Sequence, residues 1–347
     1  MTIYHNRTIP DYYHTNTLIK SQPLRANTQL RNDDILIWYD VIYDEELDHM
    51  IQLNGRPGLI VSTAHDVTVL GGCPVQHWPL FLFGFSRRMQ EQANNFDDLP
   101  VLTCSNFSIS KKQINRYLLL KLIEWFRISS FDHTWSGLGA TVDLRLLLED
   151  FEQFPVDLIP NFEEFKNHMQ ASVTKIPAKF FASPGMKYEG NSYVSNQGDM
   201  VWTWNTFLGR MMSQSAVSLI AESIRYESRM VYTEKTIYAV HGLTFPIWIG
   251  GYQQAQLWAK KGFDTFDDII NHDYQHCESL LERCTRAFLD NLHILTDLEF
   301  AREQKIKNLH RLEKNRDQLG QIFSQECENF WKIAPDQLLV ARTDTAY

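Results

Sequence analysis

The strongest constraint on the fold is a set of short, unbroken apolar runs that lack the in–out alternation of a half-exposed sheet. Asp34-Ile35-Leu36-Ile37-Trp38-Tyr39 is the first, and Gly58-Leu59-Ile60-Val61-Ser62 the second. A strand that is apolar on both faces must be covered on both faces, which is the condition of a parallel sheet flanked by helices. Segments of helical character separate the runs. Asp44 to Ile51 opens with an acidic turn suited to a helix N-terminus. Ser110 to Arg127 repeats Ile114, Tyr117, Leu118, Leu122 and Phe126 at amphipathic spacing. Pro79–Phe85 and Pro100–Cys104 read as further strands, with a polar helix from Arg87 to Asn95 between them. Alternating strands and helices predict a doubly wound α/β architecture.

The chain has 347 residues, long enough for two domains. Pro177, Pro184, Gly185, Gly190 and Gly198 crowd the stretch 176–200, which reads as the junction. The expected division is therefore an α/β domain over 1–175, a second over 190–290, and helices over 291–347 packing across both. No run is apolar and long enough to span a bilayer. Met1–Arg7 lacks the basic start and apolar core of a signal peptide. The five cysteines include no CxxC pair, which fits a reducing compartment. Together these features predict a cytoplasmic protein with no membrane partner, monomeric or homodimeric.

A formal charge of −9 argues against a protein devoted to wrapping nucleic acid, although a local basic cleft stays open. Arg87-Arg88 and Lys111-Lys112 can edge such a cleft. Cys277 and Cys284, at i and i+7, would share a helical face near His272 and His276. Core packing is the commoner fate of such a pair, and no second element completes a zinc set.

The window Ser218 to Gly251 carries the clearest chemistry. A strand ends at Glu222, a polar loop follows, and Thr233-Glu234-Lys235 opens a helix. Free N–H groups and the positive dipole end of a helix suit a diphosphate, and Lys235 adds a full charge. Glu222 and Glu234 offer acceptors for ribose hydroxyls or a base. His241-Gly242 then turns the chain into a strand, Phe245-Pro246-Ile247-Trp248-Ile249, ended by Gly250-Gly251.

This window resembles the donor-binding segment of fucosyltransferases and related GT-B glycosyltransferases, on Glu222, Thr233, Glu234, Lys235, Pro246, Ile247 and Gly250. Tyr232 departs from that pattern, standing directly before the Thr rather than one residue earlier. A second resemblance is to a group of phage-encoded, glycosyltransferase-like proteins. It rests on Thr233-Glu234-Lys235-Thr236, Gly262-Phe263-Asp264-Thr265-Phe266, Asp273-Tyr274, Asn115-Arg116-Tyr117 and Thr134-Trp135-Ser136-Gly137. These resemblances imply a GT-B-like fold, two Rossmann-like domains facing a cleft. They imply a UDP- or GDP-sugar donor held by Glu222, Tyr232, Thr233, Glu234 and Lys235; Arg116, on an otherwise apolar helix, either meets the donor phosphate or pairs with the acidic stretch 149–152. The acceptor they imply is a hydroxyl, such as a hydroxymethylated base in double-stranded phage DNA. A glycan or small-molecule acceptor, or a non-catalytic phage protein that keeps the fold, is the alternative.

An acceptor hydroxyl needs a base at the carboxyl edge of a sheet. Strand 58–62 runs into His65 and Asp66, the candidate catalytic pair. No Asp-x-Asp pair follows a strand, so no obligatory metal or other cofactor is expected; Lys235 and helix N–H groups take the cation's place. A Rossmann oxidoreductase is disfavoured because no Gly-x-Gly-x-x-Gly follows an early strand.

Overall fold

The apolar runs do become parallel strands, in two separate sheets. The structure, a computed structural model, describes residues 2–5, 22–25, 27–38, 44–62, 69–70, 72–77, 80–109, 114–126, 131–135, 151–152, 154–170, 187–189, 192–194, 200–222, 232–249 and 252–333. The chain divides into two compact units, one built on residues 1–91 and 319–347, the other on 92–227 and 232–318.

The first unit contains β1 (Ile3–His5), β2 (Gln22–Pro23), β3 (Ile35–Trp38), α1 (Asp44–Asn54), β4 (Leu59–Ser62), β5 (Val69–Leu70), β6 (Cys73–His77) and α2 (Leu80–Gln92, whose last residue falls in the second unit). Its sheet runs β2-β1-β3-β4-β6-β5. All neighbours are parallel except the β5–β6 pair. Leu36, Trp38, Ile60 and Cys73 pack against Leu47 and Ile51 of α1, so the helix covers one face. All four residues of β3 are buried, so its other face is covered too, which is why the run shows no polar alternation.

The second unit contains β7 (Thr103–Ile109), α3 (Ile114–Trp125), β8 (Phe131–Trp135), α4 (Phe162–Gln170), the hairpin β9 (Lys187–Glu189) with β10 (Ser192–Val194), α5 (Met200–Thr203), a π-helical turn (Trp204–Leu208) and α6 (Gly209–Ser213). There follow β11 (Ser215–Ile220), α7 (Glu234–His241), β12 (Phe245–Trp248), α8 (Gln254–Lys260), a 3₁₀ turn (Asp273–His276), α9 (Leu280–Leu289), α10 (Leu292–Thr296) and α11 (Leu298–Lys307). In α12 (Leu309–Ile333), residues to Gln318 belong to the second unit and those from Leu319 to the first. The second unit's sheet is wholly parallel, in the order β12-β11-β7-β8.

Three expectations change. The run Pro79–Phe85 is not a strand: Leu80 onward is helical, and Leu82, Phe85 and Met89 are buried at helical spacing. The strand expected at Pro100–Cys104 starts later, at Thr103, and reaches Ile109. The division lies at Glu91–Gln92 rather than within 176–200, because β7 pairs with β11 and draws residues 103–109 into the second sheet. Most of 176–200 lies outside the described residues. Helix α3 is also less amphipathic than its spacing suggests. Tyr117 to Ile123 are all buried, Lys121 included. Among the described residues no helix is long and apolar enough to cross a membrane.

Candidate functional site

In the second unit, β7 connects through α3 to β8 on one side, and β11 connects through α7 to β12 on the other. The chain therefore reverses its winding between β7 and β11. In open α/β sheets, such a switch point leaves a crevice outside the carboxyl ends of the strands, and ligands bind there. Glu222, Asn115, Arg116 and the start of α7 converge at this edge.

Glu222 is the hub. It is 0% exposed, two residues beyond the end of β11. Its Oε1 accepts from the Thr233 backbone N–H at 2.9 Å and from Thr236 Oγ1 at 2.7 Å. Its Oε2 accepts from Thr233 Oγ1. Thr236 Oγ1 in turn accepts from Trp248 Nε1 at 3.1 Å. Burial pushes the Glu222 carboxyl up, and the Lys235 charge opposes that rise.

Thr233 is the N-cap of α7, its backbone extended and its hydroxyl accepting from Lys235 N. Two N–H groups expected to face a diphosphate, those of Thr233 and Lys235, are thus engaged inside the protein. Lys235 is 5% exposed, with Nζ 2.7 Å from Glu234 Oε1 and 3.3 Å from Thr233 Oγ1. The Glu234 side chain is 28% exposed, the most open of the cluster's charged groups. Burial would raise its carboxyl; Lys235 and, more weakly, Arg116 outweigh that and hold it below the usual range. Arg116 is buried, donates from Nε to Ala221 O at 3.1 Å, and faces the charges of Glu234 and Glu222. Burial pulls its guanidinium down from the usual arginine range.

The cluster thus brings together Glu222, Thr233, Glu234, Lys235 and Arg116, with two acidic and two basic side chains in balance. Tyr232 stands apart in role. It is buried, its hydroxyl donates to Gln254 O, and its ring packs 5.0 Å from Trp258 and 6.3 Å from Trp248. It shapes the core beneath the site and presents no ring face to a nucleotide. Glu222 likewise spends both oxygens on the protein. His65 and Asp66 lie outside the described residues, as do Lys111 and Lys112.

Asn115 was not singled out as a site residue by the sequence. Its Nδ2 donates to Glu222 O and Ile249 O, both at 3.1 Å, and its Oδ1 accepts from Arg116 N at 3.0 Å. It ties α3 to the carboxyl ends of β11 and β12. The available signal was an amide beside an arginine opening an otherwise apolar helix. Thr236, which carries the third hydrogen bond to Glu222, was legible only as the last residue of the Thr233-Glu234-Lys235-Thr236 motif.

The cysteine pair does not share a helix: Cys277 precedes α9 and Cys284 lies within it. Among the described residues no group of three or more His, Cys, Asp or Glu is placed to hold a metal ion. No protein-family model matches the chain, and no curated protein matches it.

Proposed function

We propose that the chain is a GT-B-type glycosyltransferase whose nucleotide-sugar donor binds the second unit at the switch point between β7 and β11. The observation that carries this reading is the charge-balanced cluster at the carboxyl ends of β11 and β7, with Glu234 its outermost carboxylate and Lys235 paired to it at 2.7 Å. An arriving diphosphate competes with Glu234 for the Lys235 ammonium. The carboxylate so released accepts hydrogen bonds from sugar hydroxyls of the donor. Arg116, held behind by Ala221 O, adds positive potential without a mobile side chain.

In the transfer step the acceptor oxygen bonds to the anomeric carbon and the carbon–oxygen bond to the diphosphate breaks. The acceptor's proton passes to a base, and the diphosphate leaves with its negative charge. Lys235 stabilises that charge, the role that metal-dependent transferases give to a cation. Asp66, with His65, is the base the sequence nominates, and the acceptor class it favours is a hydroxyl on a modified base in DNA.

Isothermal titration of the full chain against UDP-, GDP-, CDP- and dTDP-sugars tests the donor site. One nucleotide class is expected to bind saturably. Lys235→Ala is expected to weaken it at least about tenfold, or about 1.4 kcal/mol, with the melting midpoint showing a folded variant. Binding by no nucleotide-sugar, or equal binding by folded wild type and variant, overturns the assignment.

A further inference from the structure

Beyond α8 the second unit folds a short stretch of chain into a fixed frame. Gly262, at φ 95°, follows the helix, and Phe266, at φ 60°, turns the chain again. The segment 265–273 then follows the edge strand β12. Phe266 packs 5.0 Å from Phe245 at the strand's start, and His272 packs 5.7 Å from Trp248 at its end. Asn291, wholly buried, pins this segment: its Oδ1 accepts from Asn271 N at 2.8 Å and its Nδ2 donates to Asn271 O at 3.0 Å. His293 adds a bond from Nε2 to Ile269 O at 3.2 Å.

The frame encloses a cavity of about 530 Å³, within the ordinary size range of ligand pockets. Ala255 and Ala259, one turn apart on α8, and Ile270 give it an apolar wall. Asp267, Asp268, Asp273 and Asp290 also line it, together with His272 and His293 but no Lys or Arg. Arg311 forks onto Asp268, with two contacts at 2.9 Å. Asp267 lies 4.0 Å from His272, whose Nε2 is spent on Thr265 O at 3.1 Å and whose imidazole burial pulls down. Among the described residues no donor reaches the carboxylate of Asp273 or of Asp290. Arg286, the nearest cation to act on Asp290, is bound to Glu282 at 2.6 Å. Burial pushes the Asp290 carboxyl up, the charge of Asp273 pushes it further, and Arg286 opposes them. Two carboxylates that repel each other inside a concave wall lack the cation that would offset both.

We infer that this cavity binds an aliphatic amine, its ammonium shared by Asp273 and Asp290 and its methylenes laid against Ala255, Ala259 and Ile270. The same carboxylates repel an anion, and a neutral ligand would leave their repulsion in place. They are spread around the cavity, and among the described residues no group of three is placed to hold a metal ion. This ligand is independent of the nucleotide-sugar, and no nucleotide enters the experiment.

Isothermal titration of the full chain uses spermidine and Nα-acetyl-lysine amide. Both carry an ammonium on a methylene chain, and they separate a small polyamine from a lysine side chain. Magnesium chloride is the inorganic control. Saturable binding of at least one amine is expected, with magnesium weaker. Asp273→Asn and Asp290→Asn remove no hydrogen bond or ion pair of the protein, so both are expected to melt at or above the wild-type midpoint. Each is expected to raise the dissociation constant about fivefold or more. Asp157→Asn removes an exposed carboxylate outside the cavity and is expected to change affinity less than about twofold. Binding of neither amine, or unchanged affinity in a folded Asp290→Asn, overturns the inference. So does magnesium binding as tightly as the better amine. Equal weakening by Asp157→Asn overturns it too, since the amine would then follow the net charge of −9 rather than this site.

Discussion

Thr236 Oγ1 donates to Glu222 Oε1 at 2.7 Å, and this bond fixes where α7 begins relative to β11. The bond joins the residue that follows β11 to the first turn of α7. Trp248 Nε1 completes the chain by donating to Thr236 Oγ1, which carries the tie on to β12. Glu222 thus acts through the helix it anchors, while in the same first turn Glu234 is partly exposed and Lys235 is buried beside it.

Replacing Glu222 tests this arrangement. Alanine leaves the Thr233 N–H and the hydroxyls of Thr233 and Thr236 without their acceptor. Each orphaned buried group costs about 1–3 kcal/mol, so Glu222→Ala is expected to lose at least about 3 kcal/mol of unfolding free energy. Glu222→Gln keeps one acceptor oxygen and is expected to lose about half as much. Urea denaturation reads both. Equal, small losses would mean that the carboxylate is not the hub.

The elements of this site were largely legible in the sequence, and its assembly was not. Thr233 at the N-cap followed by Glu234 and Lys235 announced α7, and Gly242 announced its end, because capping is local chemistry. The runs at Ile35, Leu59 and Phe245 announced strands because burial on both faces removes alternation. The run at Leu80 misled, since seven apolar residues fit a buried strand or a helix equally well. Only the continuation through Met89 decides for the helix. The pairing of β7 with β11 joins Ser105 to Val217. No local pattern encodes so distant a pairing, so the unit boundary was missed with it. Glu222 and Tyr232 were legible as important, but not as buried: a carboxylate that binds a ligand and one that anchors a helix look alike in sequence.

Gly58 gives a prediction for the first unit. A Cβ at this position would stand 2.0 Å from the Asn32 carbonyl oxygen and 2.9 Å from its carbon, both backbone atoms. Gly58 N also donates to Asp34 O, so the segment cannot retreat without losing that bond. Gly58→Ala is expected to destabilise the first unit by about 3 kcal/mol or more, the range of severe overpacking combined with a lost backbone bond. Thermal melts read the effect. A Tm within a degree of wild type would show that the Asn32 turn yields freely.

His241 governs part of the acid limb of stability. It is buried beside Trp204, its ring centroid 6.0 Å from the indole, and among the described residues its Nε2 has no hydrogen-bond partner. Burial pushes its pKa down from 6.5 to about 4; Arg316 adds to the shift and Asp97 opposes it. The unfolded chain therefore binds this proton at a pH where the folded chain does not. Its contribution is complete above about pH 6.5 and is lost as pH falls through 4. Such a shift corresponds to about 3 kcal/mol. His241→Phe keeps an aromatic ring and removes the titration. Urea midpoints of variant and wild type should differ little at pH 7.5 and diverge in favour of the variant toward pH 4.5. Parallel curves would exclude His241 from the acid response.

Lys305 should shape the alkaline limb in the same sense. Its Nζ donates to Ser213 O at 2.8 Å, Ser215 O at 2.7 Å and Gly242 O at 3.2 Å, joining the end of α6, the start of β11 and the C-cap of α7. Three carbonyls satisfy all three ammonium donors, but no carboxylate is in contact with them. Burial consequently pulls the pKa from 10.5 to about 7, and Asp97 opposes the shift only in part. Below pH 7 both folded and unfolded chains carry the proton, and the folded state bears the full cost of a buried cation. Between 7 and 10.5 only the unfolded chain keeps it, so this group's contribution rises with pH and is lost as pH falls through 7. Lys305→Met removes the cation and its titration but orphans carbonyls, at a cost of about 1–3 kcal/mol each where they lack other donors. The variant is expected to be less stable than wild type at both pH 7 and pH 9, with the gap wider at pH 9. A gap unchanged between pH 7 and 9 would mean that Lys305 stays charged in the folded protein and that the three carbonyls hold the ammonium better than burial opposes it.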